Sequence, residues 1–281
     1  MASFLDKLKI KTAIDDRTKL DLGCDHISTA NWMQYNVAYS KELVPRESIK
    51  VSMEMFTRML PLTRPTFGRA HINNRAFFVP YRTIWDGWND FITDTLHFDS
   101  SNNPAIGTTV PYIEEDDFCQ LFINSSYSTE IIADAGGNIA AYDFTCRDAN
   151  GVGHYYKLTN NGRQAMKILQ SLGYAWDWNL DKVTFEKFSA LPLLSVAKVY
   201  CDWYWPTQYL NHTSYTNVYK LLSMHNANGF VVNVTSLGYI FTLINYVMYD
   251  SDYFTAAWNN PNSPNAGSYS NFEIPDISKF E

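Results

Sequence analysis

The chain has 281 residues, enough for one large domain or two small ones. Hydrophobic residues make up 46% of it and aromatic residues 16%, which supports a sizeable core and argues against intrinsic disorder. A net charge of -7 argues against a surface that grips nucleic acid on every side, while leaving room for a local basic patch.

No stretch has the uninterrupted apolar length of a membrane span. The opening MASFLDKLKIKTAIDD lacks the apolar core and cleavage pattern of a secretory signal. Cys24, Cys119, Cys146 and Cys201 are scattered without a CxxC pair, so they read as free thiols in a reducing compartment rather than as disulfides or zinc ligands. The 19 Tyr, 17 Phe and 8 Trp suit a subunit interface and a β-rich fold equally well.

Residues 1–42 read as an N-terminal arm. Lys7, Lys9, Lys11, Arg17 and Lys19 make its first half the most basic part of the chain. In an isolated protein such an arm is a solvated terminus; in an assembly it touches phosphate or a neighbouring subunit. His26 has no second ligand at a usable spacing and reads as a surface residue.

Residues 43–93 organise the rest of the chain. Ile49, Val51, Met53 and Met55 alternate with Lys50, Ser52 and Glu54, which predicts a strand over Ser48–Met55 with one buried face. Pro61 and Pro65 interrupt any regular element. A second strand is predicted over Arg69–Val79, with Ala70, Ile72, Ala76 and Phe78 on one face and Pro80 as its stop. From Thr83 the period becomes helical, through Ile84, Trp85, Trp88, Phe91 and Ile92.

Residues 99–189 open on the loop-like DSSNNPAIGTTVP. The acids Glu114, Glu115, Asp116 and Asp117 point in different directions, so they predict a helix cap over Phe118–Phe122 or a solvated surface rather than a cation site. Asn150-Gly151 predicts a hairpin turn between Ile139–Cys146 and His154–Leu158. Arg163–Leu172 reads as a helix stopped by Gly173. Trp176 and Trp178 either pack at the base of a loop or stack on a sugar.

In ALPLLSVAKVYCDWY, residues 190–204, Pro192 precedes a helix whose Val196, Val199, Tyr200 and Trp203 share a face. Cys201 beside Asp202 is no activated nucleophile, because an adjacent carboxylate raises a thiol pKa. A helix at Tyr215–His225, a strand at Phe230–Val234 and a helix at Leu237–Tyr249 capped by Ser236 complete the predicted elements. Asp252-Tyr253-Phe254-Thr255 then leads into a long loop containing Pro261 and Pro264.

Three of these blocks carry a resemblance. The run of strand, MLPL, strand, FFVPYR and IWDGWNDFIT in residues 43–93, the run at 190–204, and DYFT at 252–255 fall in the order found in the major capsid protein of microviruses, the small single-stranded-DNA bacteriophages. The chain resembles the N-terminal portion of that protein in its gokushovirus-like branch. The resemblance implies a mainly β fold with helical insertions, a viral jelly roll (β-sandwich) of about eight strands. It implies that residues 1–281 are one jelly-roll portion and that 99–189 are an inserted variable loop region facing outward. Because a complete roll would leave no long ladder edge open, the missing strands are expected either from a complementary C-terminal capsid chain or, in a minimal capsid protein, from within Phe230–Tyr249.

The function implied is structural: self-assembly, with other virion proteins, into a T=1 icosahedral capsid around packaged single-stranded DNA, in the virion, assembled in the bacterial host cytoplasm. No cofactor, metal, membrane or catalytic role is expected. Arg58, Arg64, Arg69 and Arg75 are candidate nucleic-acid contacts at the shell interior, each of which could equally be an ordinary ion pair. The alternative is a carbohydrate-binding β-sandwich using Trp176 and Trp178. An enzyme would have to use Asp177 with Asp181, or Glu114 with Asp117, as an acid–base pair, and no recognised catalytic motif accompanies either.

Overall fold

The computed structural model describes residues 25–31, 33–43, 49–58, 72–93, 97–98, 104–105, 109–133, 137–205, 213–222, 230–244 and 247. The basic positions Lys7 to Lys19, together with Arg64, Arg69 and the DYFT block, lie outside them.

The predicted helix after Thr83 begins later than its periodicity suggests. A single 3-10 turn at Tyr81–Thr83, closed by Thr83 Oγ1 donating to Pro80 O at 2.7 Å, comes first. Helix α1 (Trp88–Thr93) starts only after Gly87, a residue that costs helical conformation about 1 kcal/mol relative to Ala. Ile84 and Trp85, between the two, are fully buried. Strands β1 (His97–Phe98) and β2 (Pro104–Ala105) then form a two-residue antiparallel ladder.

Strand β3 (Tyr112–Glu114) runs directly into helix α2 (Glu115–Ile123). Three acids in the first turn of α2 face the positive end of its dipole, as the sequence predicts. Strands β4 (Ser128–Ile131), β5 (Phe144–Arg147) and β6 (Gly153–Leu158) form an antiparallel sheet in the order β4-β6-β5. The expected hairpin is therefore present. Its turn is fixed by Gly151 at φ +78°, and by Asp148 Oδ1 accepting from Asn150 N at 2.9 Å and Val152 N at 2.8 Å.

Helix α3 (Asn160–Ser171) has both of its ends specified locally. Thr159 is the N-cap and accepts from Gly162 N at 3.2 Å. At the other end Gly173, at φ +85°, donates to Gln170 O and Tyr174 N donates to Leu169 O, a Schellman closure. Gly162 is required for a different reason: a Cβ there would lie 2.0 Å from Tyr127 O, so the first turn of α3 fits against the Tyr127 carbonyl only without a side chain.

Strand β7 (Lys187–Ser189) pairs antiparallel with β3, Tyr112 opposite Ser189. Helix α4 (Leu191–Val199) carries Pro192 in its first turn and continues into a π-helical turn at Tyr200–Tyr204, closed by Trp205 N donating to Tyr200 O at 2.9 Å. The wider turn breaks the predicted face. Val196, Val199 and Tyr200 are buried, but Trp203 is 65% exposed. Helix α5 (Thr213–Leu222) and helix α6 (Val234–Leu243) close the described part. The cap of α6 is Asn233, accepting from Ser236 N at 3.0 Å, three residues ahead of the Ser236 cap that the sequence suggests. The predicted strand at Phe230–Val234 is reduced to one parallel bridge, Tyr112 with Val231.

The core lies where α2, α3, α4 and α6 meet. Phe118, Phe122, Leu169, Leu193, Leu194 and Leu237 are buried there, each stabilising the fold by about 1.5–3 kcal/mol. Residues 33–42 lie against this body. Tyr35 packs edge-on against Tyr200 at 5.7 Å and Tyr204 at 5.2 Å, Gln164 donates to Tyr35 O, and Tyr81 donates to Glu42 Oε1 at 2.7 Å.

Two expectations of the β reading are not met among the described residues. Residues 49–58 and 72–80 contain no strand, although their alternation predicts two. A ladder needs a partner, and the described residues supply neither segment with one. The sheets that do form are small, helix exceeds strand, and no two-sheet jelly roll is assembled among the described residues.

Candidate functional site

The surface left by the two unladdered segments is the most unusual feature of the molecule. Ile49, Val51, Met53 and Met55, the face predicted to be buried, are 37%, 58%, 52% and 49% exposed. Phe56 and Phe78 are more exposed still. The two segments meet where Asn74 Nδ2 lies 3.9 Å from Met55 Sδ. Exposed apolar side chains concentrated in this way suit a contact with another macromolecule better than a solvent face.

At the end of the second segment an aromatic cluster anchors it to the body. The Phe77 ring lies 5.6 Å from Trp203 and 6.0 Å from Tyr204, and the Arg75 guanidinium sits 6.0 Å from the Tyr204 ring centre. Beside this cluster Phe78, Pro80, Lys198, Asp202 and Trp203 line a shallow open cleft of about 220 Å³. Lys198 and Asp202 neutralise each other at 3.0 Å. Of the four arginines singled out by sequence, Arg58 and Arg75 are exposed and pair with no carboxylate among the described residues; Arg64 and Arg69 lie outside those residues. Sequence reasoning missed Trp203 and Phe78 as surface groups because it placed each on a buried face.

The remaining candidates are spent inside the fold. Trp176 stacks on Phe118 at 4.7 Å and on Phe122 at 5.7 Å, and Trp178 stacks on Phe144 at 4.1 Å. Their rings serve the core rather than a sugar.

The four-acid run is divided in use. Glu115 is 2% exposed and accepts from Lys182 Nζ at 2.8 Å, Asp177 N at 2.8 Å and Glu186 N at 3.4 Å. Burial works to raise its pKa, but the Lys182 ammonium and the two backbone donors outweigh it and hold the carboxyl below its usual value. Asp117, also buried, accepts from Val234 N at 2.8 Å and so caps α6 from across the core. Burial pushes its pKa up, and the Asp116 and Glu114 charges add to this against the Val234 bond. Glu114 faces Lys187 at 3.6 Å, and Asp177 faces Lys182 at 3.4 Å. Of the acids paired from the sequence, Glu114 is thus engaged by Lys187, Asp117 by Val234 N and Asp177 by Lys182.

On the β4-β6-β5 sheet His154 stands between two carboxylates. Nδ1 is 2.7 Å from Glu130 Oε1 and Nε2 is 3.5 Å from Asp148 Oδ2. The carboxylates lie on opposite nitrogens of the ring, so they cannot converge on one ion with it. Hydrogen bonding to Glu130 above all raises the His154 pKa, with Asp148 adding to it. Among the described residues no group of three or more His, Cys, Asp or Glu side chains is placed to hold a metal. No described helix is long and apolar enough to cross a membrane.

The apolar side chains exposed among the described residues suit a contact surface, and the comparisons with known proteins point the same way. Residues 8–115 match the family described as "Capsid protein (F protein)". Within the curated proteins, 112 residues are 30% identical to capsid protein VP1 of Chlamydia phage 1, a stretch that is 39% of this chain and 19% of that relative. The chain thus spans a minor part of the length of the relative it matches. No solved structure matches it. The matched region contains both unladdered segments and α1, and the resemblance to phage capsid proteins read from residues 43–93 is borne out.

Proposed function

We propose that the chain is a structural, non-enzymatic major capsid protein of a small single-stranded-DNA phage. The observation that carries this reading is the match of residues 8–115 to the capsid family. The physical support lies in the same region. Its alternating apolar residues at 49–55 have no cover among the described residues, and apolar ribbons of that kind are stable only when another surface lies on them. Strands supplied by a second polypeptide, completing a jelly roll, would provide that surface, and copies repeated about icosahedral axes would bury the rest.

In this reading residues 1–42 act as an arm within the shell, 99–189 form the outward-facing insertion, and Arg58, Arg64, Arg69 and Arg75 meet packaged DNA through charge and stacking. Negative-stain microscopy of the purified material tests assembly: closed particles of uniform size are expected. Mass spectrometry of those particles tests completion, since a second capsid chain is expected in equal amount. Monodisperse monomers that bury their own apolar surface would overturn the reading.

A further inference from the structure

One imidazole ring serves both sides of the three-stranded sheet. His154 lies on β6, the middle strand of the order β4-β6-β5, directly opposite Cys146 of β5. Its two nitrogens point apart. Nδ1 is 2.7 Å from Glu130 Oε1 on β4, and Nε2 is 3.5 Å from Asp148 Oδ2, in the turn that leaves β5. Strands β4 and β5 share no ladder, so the ring makes a link between them that the backbone does not. Asp148 is well placed to receive it, because its other oxygen, Oδ1, already holds the turn by accepting from Asn150 N and Val152 N.

Both atoms that face the ring are carboxylate oxygens, which accept hydrogen bonds and donate none. A neutral imidazole has one N–H and one lone-pair nitrogen, so it satisfies one carboxylate and turns a lone pair on the other. The imidazolium satisfies both. We propose that His154 is a proton-operated clamp on the β4-β6-β5 sheet: the imidazolium ties β4 to the Asp148 turn, and loss of one ring proton releases the turn. This goes beyond the capsid reading and does not depend on it. The remaining N–H stays on Nδ1, in the shorter contact with Glu130, and the departing proton goes to solvent from Nε2, on a side chain that is 34% exposed. The Nε2 lone pair then faces Asp148 Oδ2, and that side of the clamp opens.

The groups around the ring favour the closed form. Glu130 faces it from β4, Cys146 and Asp148 from β5 and its turn, and Tyr156 from two positions along β6, with ring centres 6.5 Å apart. Asp181 stands beside the turn, its Oδ2 3.4 Å from where a Cβ on Gly151 would be. Arg147 and Lys157 each alternate to the opposite face of the sheet, Arg147 across from Gly153 and Lys157 across from Thr129. The charged neighbours on the ring's own face are thus acids, and hydrogen bonding to Glu130 above all raises the His154 pKa. The clamp is therefore closed below about pH 6.5 and opens as pH rises through the folded value.

Hydrogen exchange of the full chain, read by mass spectrometry on peptides covering 126–133 and 144–158, tests the clamp. It is run from about pH 5.5 to about pH 8.5, either side of the ordinary histidine range, and corrected for intrinsic exchange rates. In the wild type, protection of 144–158 should fall by about twofold to fivefold across the titration, the factor an exposed ion pair supplies. His154→Gln cannot take up the proton and should show the low protection at every pH. His154→Lys keeps its charge across the range and should show no fall. A wild type whose corrected protection stays flat, or a His154→Gln variant that falls as the wild type does, would overturn the proposal.

Discussion

Glu115 gives the sharpest test of how the body is held together. Glu115→Ala removes one carboxylate and strands three donors: Lys182 Nζ, Asp177 N and Glu186 N. A hydrogen bond to a charged group contributes about 1.5–3 kcal/mol, and breaking a buried ion pair costs about 3–5 kcal/mol. Lys182 is 27% exposed and regains water once its partner is gone, which places the loss at the lower end, about 3 kcal/mol. Glu115→Gln keeps an acceptor for the backbone donors and loses only the charge, so about 1–1.5 kcal/mol is expected.

The pH dependence separates the two effects. The folded-state pKa of Glu115 is depressed, so its contribution is present above the unfolded value of about 4.3 and is lost as pH falls through the folded value. Urea titrations followed by tryptophan emission report the core directly through Trp176 and Trp178, with stability taken from linear extrapolation. As pH falls from about 4.3 through the depressed folded value, the wild type should lose stability more steeply than Glu115→Gln. A Glu115→Ala cost below about 1 kcal/mol, or equal costs for Ala and Gln, would refute the assignment of Glu115 as a charged hub.

Gly162→Ala should destabilise by about 3 kcal/mol or more, because its Cβ would sit 2.0 Å from Tyr127 O, whereas Gly238→Ala in α6, with nothing within 4 Å, should stabilise by about 0.5–1 kcal/mol; thermal melts of both variants check the pair. The His154 pKa is raised, so its ion pairs are fully present below about pH 6.5 and are lost as pH rises through the folded value; its ring-proton NMR titration should have a midpoint above 6.5 that falls in Glu130→Gln. Arg58→Ala and Arg75→Ala should each lower the salt slope of single-stranded oligonucleotide binding by about 0.7, and an unchanged slope would remove that residue from the interface.

Local signals in the sequence were the legible ones. The hairpin about Asn150-Gly151, the stop at Gly173 and the acids at the start of α2 all depend on near neighbours, and all are present. Errors arose where geometry depends on distant partners. The alternation at Ile49–Met55 predicts a buried face that the structure leaves exposed, because coverage is not a property of the segment itself. Trp203 follows the helical period of its neighbours in sequence, yet the π turn after Val199 rotates it outward, and no residue type announces that turn. The capping role of Asp117 toward Val234 likewise joins positions whose spacing carries no pattern.

The bond from Val234 to Asp117 spans 117 positions, and beside it Tyr127 OH reaches Gly238 O across 111. Contacts so far apart along the chain form slowly, because a long intervening loop must close first. During synthesis α2 and the sheet therefore emerge with their apolar side bare and must wait for α6 to leave the ribosome. Nascent chains halted before residue 234 would be candidates for chaperone capture, and the tempo of translation over that interval would govern how much protein escapes aggregation.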